Sequence, residues 1–227
     1  MVSSLASVPR HLPRPSPFSV FVWATILLLE AMLIVTYVTV RNAQLGLFHV
    51  YPFVWLNVSL WAVWRTSRPS GTRRQKLVAG SIAGAYFAVL GYVGGLYDLF
   101  PLAGHPESHA EHLLGADLVL TVPPGYGPAL FYTSPTIQLA LSPYLLVGYL
   151  TLAYLIYVTV IDASNAAASG LLGIFACIGC TWPILASIAG GAGASGALAA
   201  TVYAQAYELS TIAFVATVAL LYWRPLE

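Results

Sequence analysis

Six stretches of the chain are dominated by apolar residues: 18–40, 48–64, 77–97, 137–161, 167–188 and 198–222. A helix needs about 20 such residues to cross the hydrocarbon core of a bilayer. The runs show no two-residue alternation, so helices are expected rather than strands. A spanning helix also satisfies its backbone polar groups within itself, which lipid cannot do for it. The expected fold is therefore all-α: a polytopic membrane protein with a single bundle of six transmembrane helices, residues 18–222. Glu30 interrupts the first run, Pro52 and Asn57 the second, and Pro143 lies near the start of the fourth.

The connections are short, except for 98–136. This segment has no Lys or Arg and carries Asp98, Glu107, Glu111 and Asp117. Its second half is apolar and aromatic around Pro123-Pro124-Gly125-Tyr126-Gly127-Pro128, and is expected to lie against the end of the bundle. A connection this long is usually functional or disordered. Gly80 and Gly84, four residues apart, would let two helix backbones approach closely. Packing inside the bundle is expected of them ahead of a dimer contact. The small residues of 189–196 suit a tight outer hairpin. Residues 1–17, with Arg10 and Arg14 among prolines, read as a disordered cytoplasmic leader, and 223–227 as a cytoplasmic tail. No small-x-small cleavage site follows the first run, so it is expected to remain as an uncleaved helix.

Composition reinforces the membrane reading. The 227 residues are 59% hydrophobic and 7% charged, against about 25% charged in a soluble domain. The distribution of cations sets the expected orientation. With six spans, Arg10, Arg14, Arg65, Arg68, Arg73, Arg74, Lys76 and Arg224 share one side and only Arg41 falls on the other. Both termini are thus expected in the cytoplasm of a cell-membrane protein, with 98–136 outside.

Candidate chemistry is sparse. Both cysteines lie in Cys177-Ile178-Gly179-Cys180-Thr181-Trp182-Pro183. Three residues apart, they share a helical face. Pro183 cannot bond the carbonyl of Gly179, which frees an acceptor beside Cys180 and bends the helix. Two soft sulfurs, that carbonyl and the Thr181 hydroxyl would suit copper(I) or zinc, or a dithiol–disulfide pair. The plainer alternative is two small apolar residues packing a seam. Glu30 and Glu208 are the acids deep within spans, where charge is expensive and commonly functional. Counting from the span ends puts both, with Cys180, near the midplane, about 15 Å deep. Either acid could serve an ion or proton, or stay protonated and hydrogen-bonded to a neighbour. In the outer segment His105, His109 and His112 could gather a divalent metal or stay solvated. Asn57-Val58-Ser59 matches a glycosylation acceptor but falls inside a span. No phosphate loop, dinucleotide fingerprint, zinc-protease motif or basic aromatic surface for nucleic acid is present.

The tract 170–225 resembles a family of small six-span membrane proteins of halophilic archaea that has no assigned activity. The resemblance rests on the cysteine motif, on Tyr203-Ala204-Gln205, on Leu221-Tyr222-Trp223-Arg224-Pro225 and on Pro123–Pro128. It implies a chain that accompanies a copper–haem terminal oxidase. A shorter stretch is similar to membrane thiol carriers of cytochrome c maturation, through a cysteine just before a proline. The chain departs from these carriers: both cysteines fall in one helix, with no matching earlier half.

The expected function is thus an accessory or assembly subunit of a membrane redox system, handling copper or thiols at Cys177 and Cys180. The alternatives are a small proton- or ion-coupled transporter using Glu30 and Glu208, and a purely structural membrane subunit. No activated nucleophile or acid–base pair marks an enzyme, and no cofactor is fixed beyond the suggestion of copper.

Overall fold

A computed structural model describes residues 16–99, 115–165 and 206–223. The chain divides into two compact units, the boundary falling between Ala43 and Gln44.

The first unit holds α1 (Pro17–Arg41). The Ser16 side chain caps its start, accepting from the Ser19 amide at 3.2 Å, and Pro17 takes the first position, where no amide hydrogen is needed. Asn42 ends it in the left-handed conformation, φ 49°. No residue of α1 is buried. The Thr25, Thr36 and Thr39 hydroxyls donate to the carbonyls of Phe21, Met32 and Val35 one turn back, at 2.8–2.9 Å. An apolar surround demands this self-sufficiency. Glu30 is partly exposed on this helix and engaged in a polar interaction.

The second unit opens with a 3-10 turn at Leu47–His49, followed by α2 (Tyr51–Arg65) and α3 (Arg73–Val93). Thr72 and Gln75 build a capping box for α3: the Thr72 amide donates to Gln75 Oε1 at 2.8 Å, and the Gln75 amide to Thr72 Oγ1 at 3.3 Å. Four strands come next, β1 (Tyr97–Leu99), β2 (Gly115–Val119), β3 (Ala129–Thr133) and β4 (Ile137–Leu141), then α4 (Pro143–Asn165) and α5 (Ala206–Trp223).

The sheet overturns the all-α six-helix expectation. It is antiparallel throughout, in the order β1-β4-β3-β2. Five α-helices accompany it among the described residues. The run 137–161, read as one span, is a strand followed by a helix. Its hydropathy is continuous across the boundary, but the chain turns at Ser142 and Pro143 opens α4 at a position that suits proline. Residues 77–97 likewise shift to Arg73–Val93, because Gly94 and the positive φ of Gly95 (76°) end the helix before β1. The expected span 167–188 lies outside the described residues.

α4 is the hub of the second unit, packing against α2, α3 and α5. Leu152, Leu155, Ile156, Val158 and Ile161 of α4 are buried, with Trp55 and Ala62 of α2 and Phe214, Val218 and Leu221 of α5. On α3 the buried small residues are Ala79 and Ala83, which allow close helix approach. Gly80 and Gly84 are exposed, with no described neighbour within 4 Å of where a Cβ would stand. Among the described residues, the face of α3 packed by its neighbours carries Ala79 and Ala83, one position before each glycine.

The helix directions follow from these contacts. Trp55 meets Phe214 and Trp61 meets Tyr222, so α2 and α5 run parallel. Trp55 near the start of α2 also meets Tyr144 and Tyr149 near the start of α4. Tyr149 reaches Gly94 just past the end of α3, so α3 runs opposite to α4. The starts of α2, α4 and α5 therefore share the end that carries the sheet.

Candidate functional site

The polar and aromatic groups of the second unit converge at this sheet-bearing end. Trp55 is 4% exposed and donates its indole N–H to Thr211 Oγ1 at 3.0 Å. Its ring stacks on Phe214, centroids 4.0 Å apart and planes 6° from parallel. Tyr144 and Tyr149 meet it edge-on at 5.7 and 5.9 Å. Gly148, one turn into α4, makes room for the indole: a Cβ there would lie 2.3 Å from Trp55 Cε3. An aromatic with a polar tip is at home here only because Thr211 satisfies that tip.

One turn nearer the helix starts, Tyr51 and Glu208 meet. The Tyr51 hydroxyl donates to the Glu208 carboxylate. Glu208 is exposed and lies in the first turn of α5. Tyr51 opens α2, about 6 Å along a candidate span that begins at Leu47. The Glu208 carboxylate is thus level with the first turn of α2.

The aromatic turn completes the end. Tyr126 stacks on Phe48 at 4.3 Å, donates to the Phe48 carbonyl at 3.0 Å and meets Tyr144 at 4.9 Å. Gly125 has φ 88°, and a Cβ on it would come within 2.6 Å of Pro52 Cβ. The Pro123–Pro128 turn is therefore docked on the start of α2. His49, buried in the 3-10 turn, pairs its Nδ1 with the backbone of Gly46.

Of the residues singled out from the sequence, Glu30 falls in the first unit and Glu208 in the second. Cys177, Cys180, Thr181, Pro183, His105, His109 and His112 lie outside the described residues. Among the described residues no group of three or more His, Cys, Asp or Glu side chains could hold a metal ion. Trp55, Tyr51, Tyr144, Gly148 and His49 were missed, since single aromatic or small residues in apolar runs carry no spacing signal. The arrangement seen here is chemically a set of ties: hydroxyl to carboxylate, indole to hydroxyl, phenol to carbonyl. It joins elements far apart in sequence.

Asp98, Asp117 and Glu208 stand at or beside the sheet, while Arg65, Arg68, Arg73, Arg74 and Lys76 gather where α2 ends and α3 begins, with Asp162 of α4 at that same end. Among the described residues, four helices are long and apolar enough to cross a membrane: Pro17–Arg41, Leu47–Arg65, Arg73–Val93 and Pro143–Asp162.

Residues 4–227 match a family described as of unknown function (DUF7546). The chain belongs to that family. The match covers nearly the whole chain and agrees with the resemblance to an uncharacterised family; it carries no link to archaea or to membrane thiol carriers. No curated protein and no solved structure matches the chain.

Proposed function

We propose that this member of DUF7546 is a non-enzymatic integral membrane subunit, an accessory or assembly component of a membrane complex. The single observation that carries this reading is the nature of the convergent end. Its polar groups are spent on holding elements together: Trp55 on Thr211, Tyr126 on Phe48, Tyr149 on Gly94. Large apolar side chains remain exposed on the helices around it, Leu77, Val78, Ile82 and Val89 of α3 and Leu150 of α4 among them. A soluble monomer does not leave such surface to water; lipid or a partner helix covers it.

In this reading the helices cross the cell membrane with the basic end in the cytoplasm and the sheet outside, as the distribution of cations favours. α2, α4 and α5 share one direction, and α3 runs opposite to α4. The redox assignment rests on the Cys177/Cys180 motif alone, with copper or thiol exchange as its chemistry. The transporter alternative rests on Glu30 and Glu208; Glu208 is exposed and bonded to Tyr51.

The test is metal content and free-thiol count on protein purified in mild detergent, beside Cys177→Ser/Cys180→Ser, with the co-purifying proteins identified. Copper or a disulfide lost in the variant, together with a stable larger complex, supports a redox accessory subunit. Inert thiols within such a complex leave a structural subunit. A chain that purifies alone and carries proton-coupled flux in liposomes overturns the proposal.

A further inference from the structure

We infer that the outward face of the four-stranded sheet is a lipid-binding surface, seated at the membrane–water interface. The register defines the face. Leu118, Leu130 and Leu141 form one row across β2, β3 and β4, and Ala116, Tyr132, Leu139 and Tyr97 form the next. Leu99 and Ile137 are paired beyond them. Side chains alternate across a strand, and on β3 it is Ala129, Phe131 and Thr133 that turn inward. Most of the outward residues are left open: Leu118 is 56% exposed, Leu99 48%, Tyr132 40%, Leu130 39% and Ile137 39%, while Tyr97, Leu139 and Leu141 are half-buried, Tyr97 and Leu141 packing against the core.

This polarity is inverted for a sheet in water, which puts polar residues outward. Both carboxylates of the strands, Asp98 and Asp117, are in register with Gln138 and Phe131 on the opposite face. The outward face has no charged residue among the described strands. An apolar patch of this kind marks an interaction surface.

The occupant follows from what the face is continuous with. Tyr97, on that face, folds back on α3: its hydroxyl donates to the Ala88 carbonyl and its ring stands 6.0 Å from Tyr92. Tyr92 and Val89 are themselves 51% and 53% exposed on α3. The apolar side of a candidate span thus runs into the sheet without a polar break. The link is short at both ends, with Gly94–Leu96 between α3 and β1 and Ser142 alone between β4 and α4. What covers the open side of α3 reaches the sheet. Depth is limited by β1 and β2, the edge strands, whose outer backbone groups need water or headgroups and cannot enter hydrocarbon. The sheet therefore rests among headgroups, where tyrosine is favoured, with its leucines reaching about 5–10 Å into the acyl boundary.

This inference rests on the reading of α3 and α4 as spans, and the experiment separates the two. Single spin labels are placed at Leu118→Cys, Leu130→Cys, Ile137→Cys, Asp117→Cys and, on α3, Val89→Cys, in a Cys177→Ser/Cys180→Ser background. Each variant is checked for unchanged thermal unfolding in detergent, then reconstituted in phosphatidylcholine vesicles. Collision with oxygen and with a water-soluble nickel chelate is measured. The expected result is an oxygen-to-nickel ratio severalfold higher at 118, 130, 137 and 89 than at 117. Lipid-like values at 89 with water-like values at 118, 130 and 137 overturn the inference and leave the spans standing. Water-like values at 89 as well overturn both. Dipolar broadening at 118 that disappears on dilution with unlabelled protein assigns the face to a second copy and overturns the lipid assignment.

Discussion

Trp55 of α2 and Thr211 of α5, 156 residues apart in sequence, are joined by one buried hydrogen bond of 3.0 Å. The bond fixes the register of two parallel helices, because the indole also stacks on Phe214 one turn further along. Thr211→Val keeps the shape and removes the acceptor, leaving a buried indole N–H. The expected cost is about 0.5–2 kcal/mol, the lower part of that range being usual for bonds between helices in lipid. Denaturant unfolding in detergent micelles, followed by tryptophan fluorescence, measures it; an unchanged midpoint would remove the bond from the stability of the bundle.

Gly148→Ala should destabilise. In an unencumbered helix this change is favourable by about 1 kcal/mol. Here the added methyl meets the Trp55 ring, and overpacking of that kind costs about 1–3 kcal/mol. The diagnostic is rescue: Trp55→Leu on its own should lower stability, yet it should relieve part of the Gly148→Ala penalty. Strict additivity of the two changes would show that the glycine is not there for the indole.

The docked turn gives a third expectation. Gly125→Ala faces two obstacles, the positive φ and the Pro52 side chain. Tyr126→Phe loses the bond to the Phe48 carbonyl. Gly125→Ala should therefore be the more damaging, raising protease sensitivity around residue 125, while Tyr126→Phe, which keeps the stack on Phe48, changes it little. Equal sensitivity of the two variants would contradict the docking geometry.

Tyr51 and Glu208 separate the accessory reading from the transporter reading. Their hydrogen bond is at an exposed end, where water competes and screening is effective. Tyr51→Phe and Glu208→Gln should leave unfolding in detergent within experimental scatter. In the accessory reading neither changes proton flux across reconstituted liposomes. A flux present in the wild type and abolished by Glu208→Gln would restore the transporter.

How much of this was legible in the sequence depended on which physical signal dominated locally. The first run, 18–40, reads within one residue at each end of α1, because Ser16-Pro17 and Asn42 punctuate it. The run 137–161 was misread because hydrophobicity alone does not distinguish a strand from a helix when the two abut. The missed signal was Ala129–Thr133 and Ile137–Leu141, rich in aromatic and aliphatic residues, around Ser134-Pro135-Thr136. That is a hairpin: the Ile137 amide donates to Ser134 Oγ at 3.0 Å, and the Ser134 amide to the Ile137 carbonyl at 2.8 Å. Gly80 and Gly84 were read for their spacing, yet Ala79 and Ala83, one position earlier, are the buried pair. Glycine spacing marks where backbones can approach; which face does so depends on the partner helix. The pairing of Glu208 with Tyr51 was beyond reach, because the sequence does not say which helices are neighbours.

The strand order has a consequence for biosynthesis. Among the described residues β1 pairs with β4 alone, the last of the four strands to be made. As the ribosome delivers the chain, β1 emerges first and waits without its neighbour while β2 and β3 form the opposite side. The sheet closes only when residues 137–141 arrive, immediately ahead of α4. If α3 and α4 cross the bilayer with the sheet outside, as proposed, the whole of 97–141 has to be translocated before that closure, so the sheet is assembled after passage through the insertion machinery and not carried through it folded.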